Sequence, residues 1–115
     1  MADKTIFEKI RDRELKADIV FENDDVLAFT DINPQAPTHV LVIPKEKARS
    51  FAEFREKQPE AVGRFLCSVS EVAHRLGLEE SGYRIVFNHG ADGQQTVEYV
   101  HAHILGGRAM SWPPG

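Results

Sequence analysis

His101 and His103 stand two residues apart in Thr96-Val97-Glu98-Tyr99-Val100-His101-Ala102-His103-Ile104-Leu105-Gly106-Gly107, a stretch that alternates in polarity. Successive side chains of an extended strand point to opposite faces, so this spacing predicts Val97, Tyr99, His101 and His103 on one side and Val100, Ala102 and Ile104 on the other. The second set suits a core. The first gathers a phenol and two imidazoles, groups that attack, carry protons or bind metal near neutral pH. Three roles fit such a pair. It can be an inert, hydrogen-bonded pair of buried rings. It can be half of a metal site, with His39 as a third ligand. It can also supply a nucleophile toward phosphorus, splitting one difficult displacement into two easier ones if nearby donors hold the non-bridging oxygens. Ile104, Leu105, Gly106 and Gly107 follow with no carboxylate or thiolate, which weighs against the metal site.

Immediately upstream lies Asn88-His89-Gly90-Ala91-Asp92-Gly93-Gln94-Gln95-Thr96, where two glycines allow the backbone to turn its N–H groups toward a ligand. A hairpin turn is the ordinary role of such a loop. Its place just before the histidine strand would, however, set an anion held by those amides close to His101. Elsewhere Lys45 to Arg49 reads as a solvated charge run, His74 as a surface residue of a helix and His89 as a loop residue. Trp112, between Met110 and Pro113 in a tail too short for its own core, calls for burial against something else.

The elements that must position these groups follow from pattern. Thr5 to about Leu15 carries Ile6, Phe7 and Ile10 at helical spacing. Ile19-Val20-Phe21-Glu22 and Val26-Leu27-Ala28-Phe29-Thr30 flank Asn23-Asp24-Asp25 and predict a hairpin. A loop from Ile32 to Thr38 precedes His39-Val40-Leu41-Val42-Ile43, a run of apolar residues that reads as a strand buried on both faces and stopped by Pro44. Pro59 to about Leu76 places Val62, Phe65, Leu66, Val69, Val72, Ala73 and Leu76 three or four apart, with Gly77 as a stop, and predicts the longest helix. Tyr83 to Asn88 and Glu98 to Leu105 supply two further strands. The fold class expected is α+β with a mainly antiparallel sheet, one long helix and one short.

Composition sets bounds around this reading. At 115 residues the chain is expected to be one domain, 1–115. A net charge of -4 with mixed signs argues against nucleic acid as a partner, since phosphate-backbone binders concentrate basic charge on one face. Cys67 is the only cysteine, so a reducing compartment is the simpler expectation. No apolar stretch has bilayer length and no apolar leader follows Met1, so no membrane association is expected and the location anticipated is cytoplasmic.

With these residues in view, the His-φ-His end of the strand (φ apolar), Leu105-Gly106-Gly107-Arg108, the tail Met110-Ser111-Trp112-Pro113-Pro114-Gly115, the segment Asp31 to Lys45 and Tyr83-Arg84-Ile85-Val86-Phe87-Asn88 resemble the histidine triad family. Within it they look like the Hint branch of nucleotide-binding proteins, over a range from about Thr5 to the last residue. The resemblance implies a homodimer whose sheets join, and a hydrolase, a phosphoramidase, that releases a nucleoside monophosphate from phosphoramidates or acyl-nucleotides. In that scheme His101 is the nucleophile that forms a nucleotidyl-histidine, and no metal or cofactor takes part. Asn88, Gly93, Thr96, His101 and His103 would hold the phosphate, and Asp31 the ribose. Ile6, Phe7, Phe29, Ile32 and Leu41 match the base pocket for a purine nucleotide such as AMP, and Trp112 would reach the partner's site. One position departs from the pattern: the family's first histidine, which is hydrogen-bonded into a chain with the residue matching His39, falls on Tyr99. A nucleotide-binding module with little turnover therefore stays open, and a metal-binding protein is a third reading.

Overall fold

The computed structural model describes residues 3–115. Thr5 opens the first helix, α1 (Ile6–Arg11), through a capping box: its hydroxyl accepts from the Glu8 backbone N–H while the Glu8 carboxylate accepts from the Thr5 N–H. Phe7 and Ile10 are the buried residues of this helix. It stops short of the expected Leu15. Asp12, Arg13 and Glu14 offer no apolar side chain to the sheet, Arg13 turns to φ 63°, and Leu15 is left 42% exposed.

Strands β1 (Ile19–Glu22) and β2 (Val26–Thr30) form the predicted hairpin, and the Asn23 side-chain oxygen accepts from the N–H groups of Asp25 and Val26 to shape its turn. Strand β3 (Thr38–Pro44) is buried at every position after Thr38, as its run of apolar residues requires. A 3-10 helix, Phe51–Glu56, follows where the sequence carried no periodic signal. The long helix α2 (Pro59–Arg75) begins with proline at its first position, where a missing N–H costs nothing, and is followed by Gly77 at φ 74°. Its buried side is Phe65, Ser68, Val69, Val72 and Ala73, whereas Leu66, expected in the core, is 43% exposed. Strands β4 (Tyr83–Val86) and β5 (Ala102–Gly106) complete an antiparallel sheet of order β1-β2-β3-β5-β4, so the fold class is the α+β one expected.

The sheet separates two cores. Val26, Ala28, Val40, Val42, Ala102 and Ile104 face α2. Leu27, Phe29, Leu41 and Ile43 point the other way, where Phe7 and Ile10 of α1 and the fully buried Tyr99 cover them. β5 starts four residues later than the predicted Glu98. By the register of its pairing with β3, Val100 would lie opposite Pro44, which has no N–H to donate, and the Val100 N–H goes instead to the Ala48 carbonyl at 2.7 Å. Among the described residues no helix is long and apolar enough to cross a membrane.

Candidate active site

Register brings the imidazoles together. β3 and β5 pair antiparallel with His39 opposite Leu105 and Leu41 opposite His103, so His39 and His103 are diagonal neighbours on one face. Their rings are 5.1 Å apart, centroid to centroid, and His103 lies 4.9 Å from His101.

Two backbone groups determine which nitrogen of each ring carries a proton. The Gln35 N–H lies 2.9 Å from His39 Nδ1 and can only donate, so Nδ1 accepts and the neutral ring holds its proton on Nε2. That Nε2–H points at His103 Nδ1, 2.8 Å away, so His103 in turn carries its proton on Nε2. From the other end, the Tyr99 carbonyl lies 2.7 Å from His101 Nδ1 and can only accept, which places the His101 proton on Nδ1 and leaves Nε2 with a free lone pair. The arrangement therefore presents one bare nitrogen, on His101, beside one N–H donor, on His103.

Burial keeps this pattern neutral. Loss of solvation lowers the pKa of His101, opposed by the Tyr99 carbonyl and by Asp31, and it lowers that of His39, opposed by Asp31. His103 is pushed down to about 4, by burial first and then by the two neighbouring imidazoles. The Asp31 carboxylate lies 3.4 Å from His39 Nε2, and because His39 is held neutral this contact is a polar one and not an ion pair. The other Asp31 oxygen accepts from the Asn33 N–H at 2.8 Å.

The loop after β4 is stitched from within. Asn88 donates its side-chain amide to the Gly93 carbonyl at 2.6 Å. A Cβ at Gly93 would come within 2.3 Å of the His89 carbonyl oxygen, so only glycine fits there, and the next residue, Gln94, adopts φ 60°. Gln95 donates to the carbonyls of Arg49 and Val97 and accepts from the Gly90 N–H, tying the loop to the segment before the 3-10 helix. Thr96 is exposed.

Phe7, Phe29 and Leu41, matched to a base pocket, are core residues here, packed beneath the imidazoles with Phe7 edge-on to Phe29 at 5.5 Å and to His101 at 4.9 Å. Ile6 and Ile32 are 43% and 95% exposed and flank that core from the surface. The Tyr99 phenol turns away from the relay. It donates to the Pro44 carbonyl and sits under Arg11 and Lys47, whose cationic groups lie 5.7 and 5.9 Å from the ring centre. Only its main-chain carbonyl meets His101. Trp112 is 82% exposed and stacks near the Arg84 guanidinium, which also donates to the Ser111 carbonyl. His74 and His89 lie on the surface. Sequence reasoning missed Gln35 and Gln95. Gln35 acts through its main chain and leaves no mark in composition, whereas Gln95 stood inside a loop already suspected of binding anions.

Asp31, His39 and His103 also offer three ligand atoms within 4.8 Å of one another. Tetrahedral zinc with nitrogen ligands at about 2.0–2.1 Å sets neighbouring nitrogens about 3.3 Å apart. The 2.8 Å between His39 and His103 is the length of a hydrogen bond with a proton between the rings, so these residues as placed fit the proton relay and not a zinc ion.

The chain is 50% identical over 113 residues to the 14 kDa zinc-binding protein of Zea mays, covering 96% of this chain and 88% of that one. It is 46% identical over 113 residues to Adenylylsulfatase HINT1 of Arabidopsis thaliana, covering 96% and 76%. A HIT family hydrolase from Legionella pneumophila Philadelphia 1 superposes with a TM-score of 0.91 at 44% identity, over 97% of this chain and all of the other. The model of the HIT domain matches residues 12–110, the span that holds His39, His101, His103 and the loop between β4 and β5, and the chain belongs to that family.

Proposed function

We propose that this protein is a purine nucleotide-binding hydrolase that releases a nucleoside monophosphate from phosphoramidates or acyl-nucleotides through a nucleotidyl-histidine on His101. The supporting observation is the 2.7 Å contact of His101 Nδ1 with the Tyr99 carbonyl, which aims a neutral, unprotonated Nε2 away from the main chain. In the first step the Nε2 lone pair attacks the α-phosphorus; the P–N or P–O bond to the leaving group breaks, and the leaving group departs with a proton drawn from the imidazole relay or water. In the second, water attacks phosphorus, the P–Nε2 bond breaks and the nucleoside monophosphate is released. The His103 Nε2–H, Thr96 and the amides of the Asn88–Thr96 loop are assigned to the phosphate oxygens and Asp31 to the ribose hydroxyls, with Ile6, Phe7, Phe29, Ile32 and Leu41 around the base. The Arabidopsis relative, an adenylylsulfatase by name, adds adenylyl sulfate, a mixed anhydride at the same phosphorus, to the substrates worth assaying.

Incubation with an adenosine phosphoramidate, following AMP, tests the reading. Release of AMP that persists in chelator is expected. Complete loss in chelator with recovery on adding zinc would overturn it and favour a metal at Asp31, His39 and His103, the reading that the name of the maize relative supports.

The proposal includes a homodimer. β4 is an edge strand, and the tail beside it carries the exposed Trp112 on the Arg84 side. Joining two β4 edges would continue the sheet and offer Trp112 to the neighbouring site. Deleting residues 109–115 should then alter leaving-group preference more than AMP affinity, and a monomer in sedimentation at working concentration would remove this part. A cytoplasmic location, without membrane or nucleic-acid partners, completes the reading and accords with the single free thiol of Cys67.

A further inference from the structure

The direction of the imidazole relay is a choice between two states. A neutral His39 holding its proton on Nε2 donates to His103 Nδ1 and leaves His103 an Nε2–H. Moving the His39 proton to Nδ1 would reverse the bond to His103 and abolish the one from the Gln35 N–H, and His103 would then present a lone pair where a phosphate oxygen needs a donor. The Gln35 N–H selects the first state from the Nδ1 side, and the Asp31 carboxylate, 3.4 Å from His39 Nε2, favours it from the other. In Pro34-Gln35-Ala36-Pro37 only Gln35 and Ala36 possess an N–H at all, so a shift of this loop offers few substitutes.

The loop has little to hold it by packing. Ile32, Asn33, Pro34, Gln35 and Pro37 are exposed, and only Ala36 is buried. Its first half is tied internally, by Asn33 N–H to Asp31 and by the Gln35 side chain to the Asn33 carbonyl at 3.0 Å. Its second half is gripped from another element. Gly107, at φ 88°, lies so close to Pro37 that a Cβ would come within 2.9 Å of the proline ring. The next residue, Arg108, reaches over with Nη2 to the Gln35 carbonyl at 3.0 Å. The Gln35 carbonyl and N–H flank one Cα, and with the carbonyl held by Arg108 and the N–H side tied through Asn33, the residue is anchored on both sides of that Cα.

We propose that Arg108 is a positioning residue for the reaction: by pinning the Gln35 carbonyl, it aims the Gln35 N–H at His39 and thereby keeps His103 an N–H donor toward the phosphate. The inference rests on the reading of His101 and His103 as the reacting pair. Arg108 itself touches no imidazole; it acts through Gln35 and His39.

The test is imidazole nitrogen NMR on histidine-labelled wild type, Arg108→Ala and Arg108→Lys at neutral pH, beside steady-state kinetics on an adenosine phosphoramidate. Arg108 is exposed on a turn, so both variants should keep the wild-type circular dichroism. In Arg108→Ala the Nδ1 and Nε2 signals of His39 and His103 should move toward a mixture of tautomers, while His101, anchored by the Tyr99 carbonyl, should not change. kcat should fall between about tenfold and a hundredfold, with KM less affected. Arg108→Lys, which can still donate to the carbonyl, should restore most of both readouts. His39 and His103 signals unaltered in Arg108→Ala would overturn the inference. Altered signals in a wild-type background that hydrolyses nothing would instead sink the proposed reaction and leave the positioning role standing.

Discussion

Under α2, the sheet side chains Val26, Ala28, Val40, Val42, Ala102 and Ile104 meet Phe65, Val69, Val72 and Ala73 with no titratable group among them. On the opposite face, the same strands β3 and β5 send out His39, Leu41 and His103, and the cover is the short helix α1 together with Tyr99. The alternation of a strand lets one residue serve packing and its neighbour serve chemistry, so stability and reactivity are separated by a single position along the chain. One face is closed by a helix of 17 residues, the other by one of 6.

The sharpest break of this division is His101→Asn. It should lower turnover by roughly 10⁴-fold or more, since no nucleotidyl intermediate can form, while AMP binding measured by calorimetry persists. Undiminished hydrolysis would overturn the mechanism. The converse change is Phe65→Ala on the α2 face, where a residue 3% exposed is lost. Denaturant unfolding should show a cost of about 3–5 kcal/mol with kcat per folded molecule unaltered. A kcat that followed the stability loss would show that the two faces are coupled. Tyr99→Phe is expected to have a smaller effect. Removing the hydroxyl leaves the Pro44 carbonyl without its donor and should cost about 1–3 kcal/mol, yet kcat should stay within about twofold, because only the main-chain carbonyl of residue 99 reaches His101. A large fall in kcat would place the phenol in the chemistry after all.

The mildest effect is one of pH. His39, His101 and His103 have folded pKa values below the ordinary 6.5, so as pH falls the unfolded chain takes up protons first. Their contribution is intact above about pH 6.5 and is lost progressively as pH drops through the folded values, about 4 for His103. Glu8, held at about 2 by Lys47, begins to act only below its ordinary 4.5, so the interval between 6.5 and 4.5 reports on the imidazole face. The buried cluster under α2 holds no titratable group, and His74, exposed on that helix, has its pKa raised by Glu79 and so acts above 6.5. Replacing His103 with Gln should make the melting temperature fall less across that interval, with the remainder due to His39 and His101. For the same reason the rate should hold as pH falls through 6.5 and decline only below it, where His101 gains its proton.

Much of the scaffold was legible because it rests on side-chain pattern. Asn23 announced the hairpin turn, the apolar run of β3 its double burial, and the spacing of Phe65, Val69 and Val72 the inner side of α2. The misplaced start of β5 came from alternation that continues past the point where Pro44 ends its neighbour's supply of donors, a tertiary fact. The extent of α1 failed similarly, since apolar spacing does not say where the sheet beneath it ends. In the site, the imidazoles and the glycine loop were visible, but the groups that orient them were not: the Gln35 N–H and Tyr99 C=O are main-chain atoms present in every sequence.

That last point bears on Tyr99. The bond that prepares His101 comes from a carbonyl oxygen, an atom that no point mutation to another amino acid can delete. The side chain at position 99 can thus differ in chemistry while the His101 ring keeps its orientation, and here it is a phenol that ties the segment before β5 to the end of β3 at Pro44. A survey that recognised relatives by counting three histidines in the strand would discard this chain, although the main-chain carbonyl that orients the His101 ring is in place.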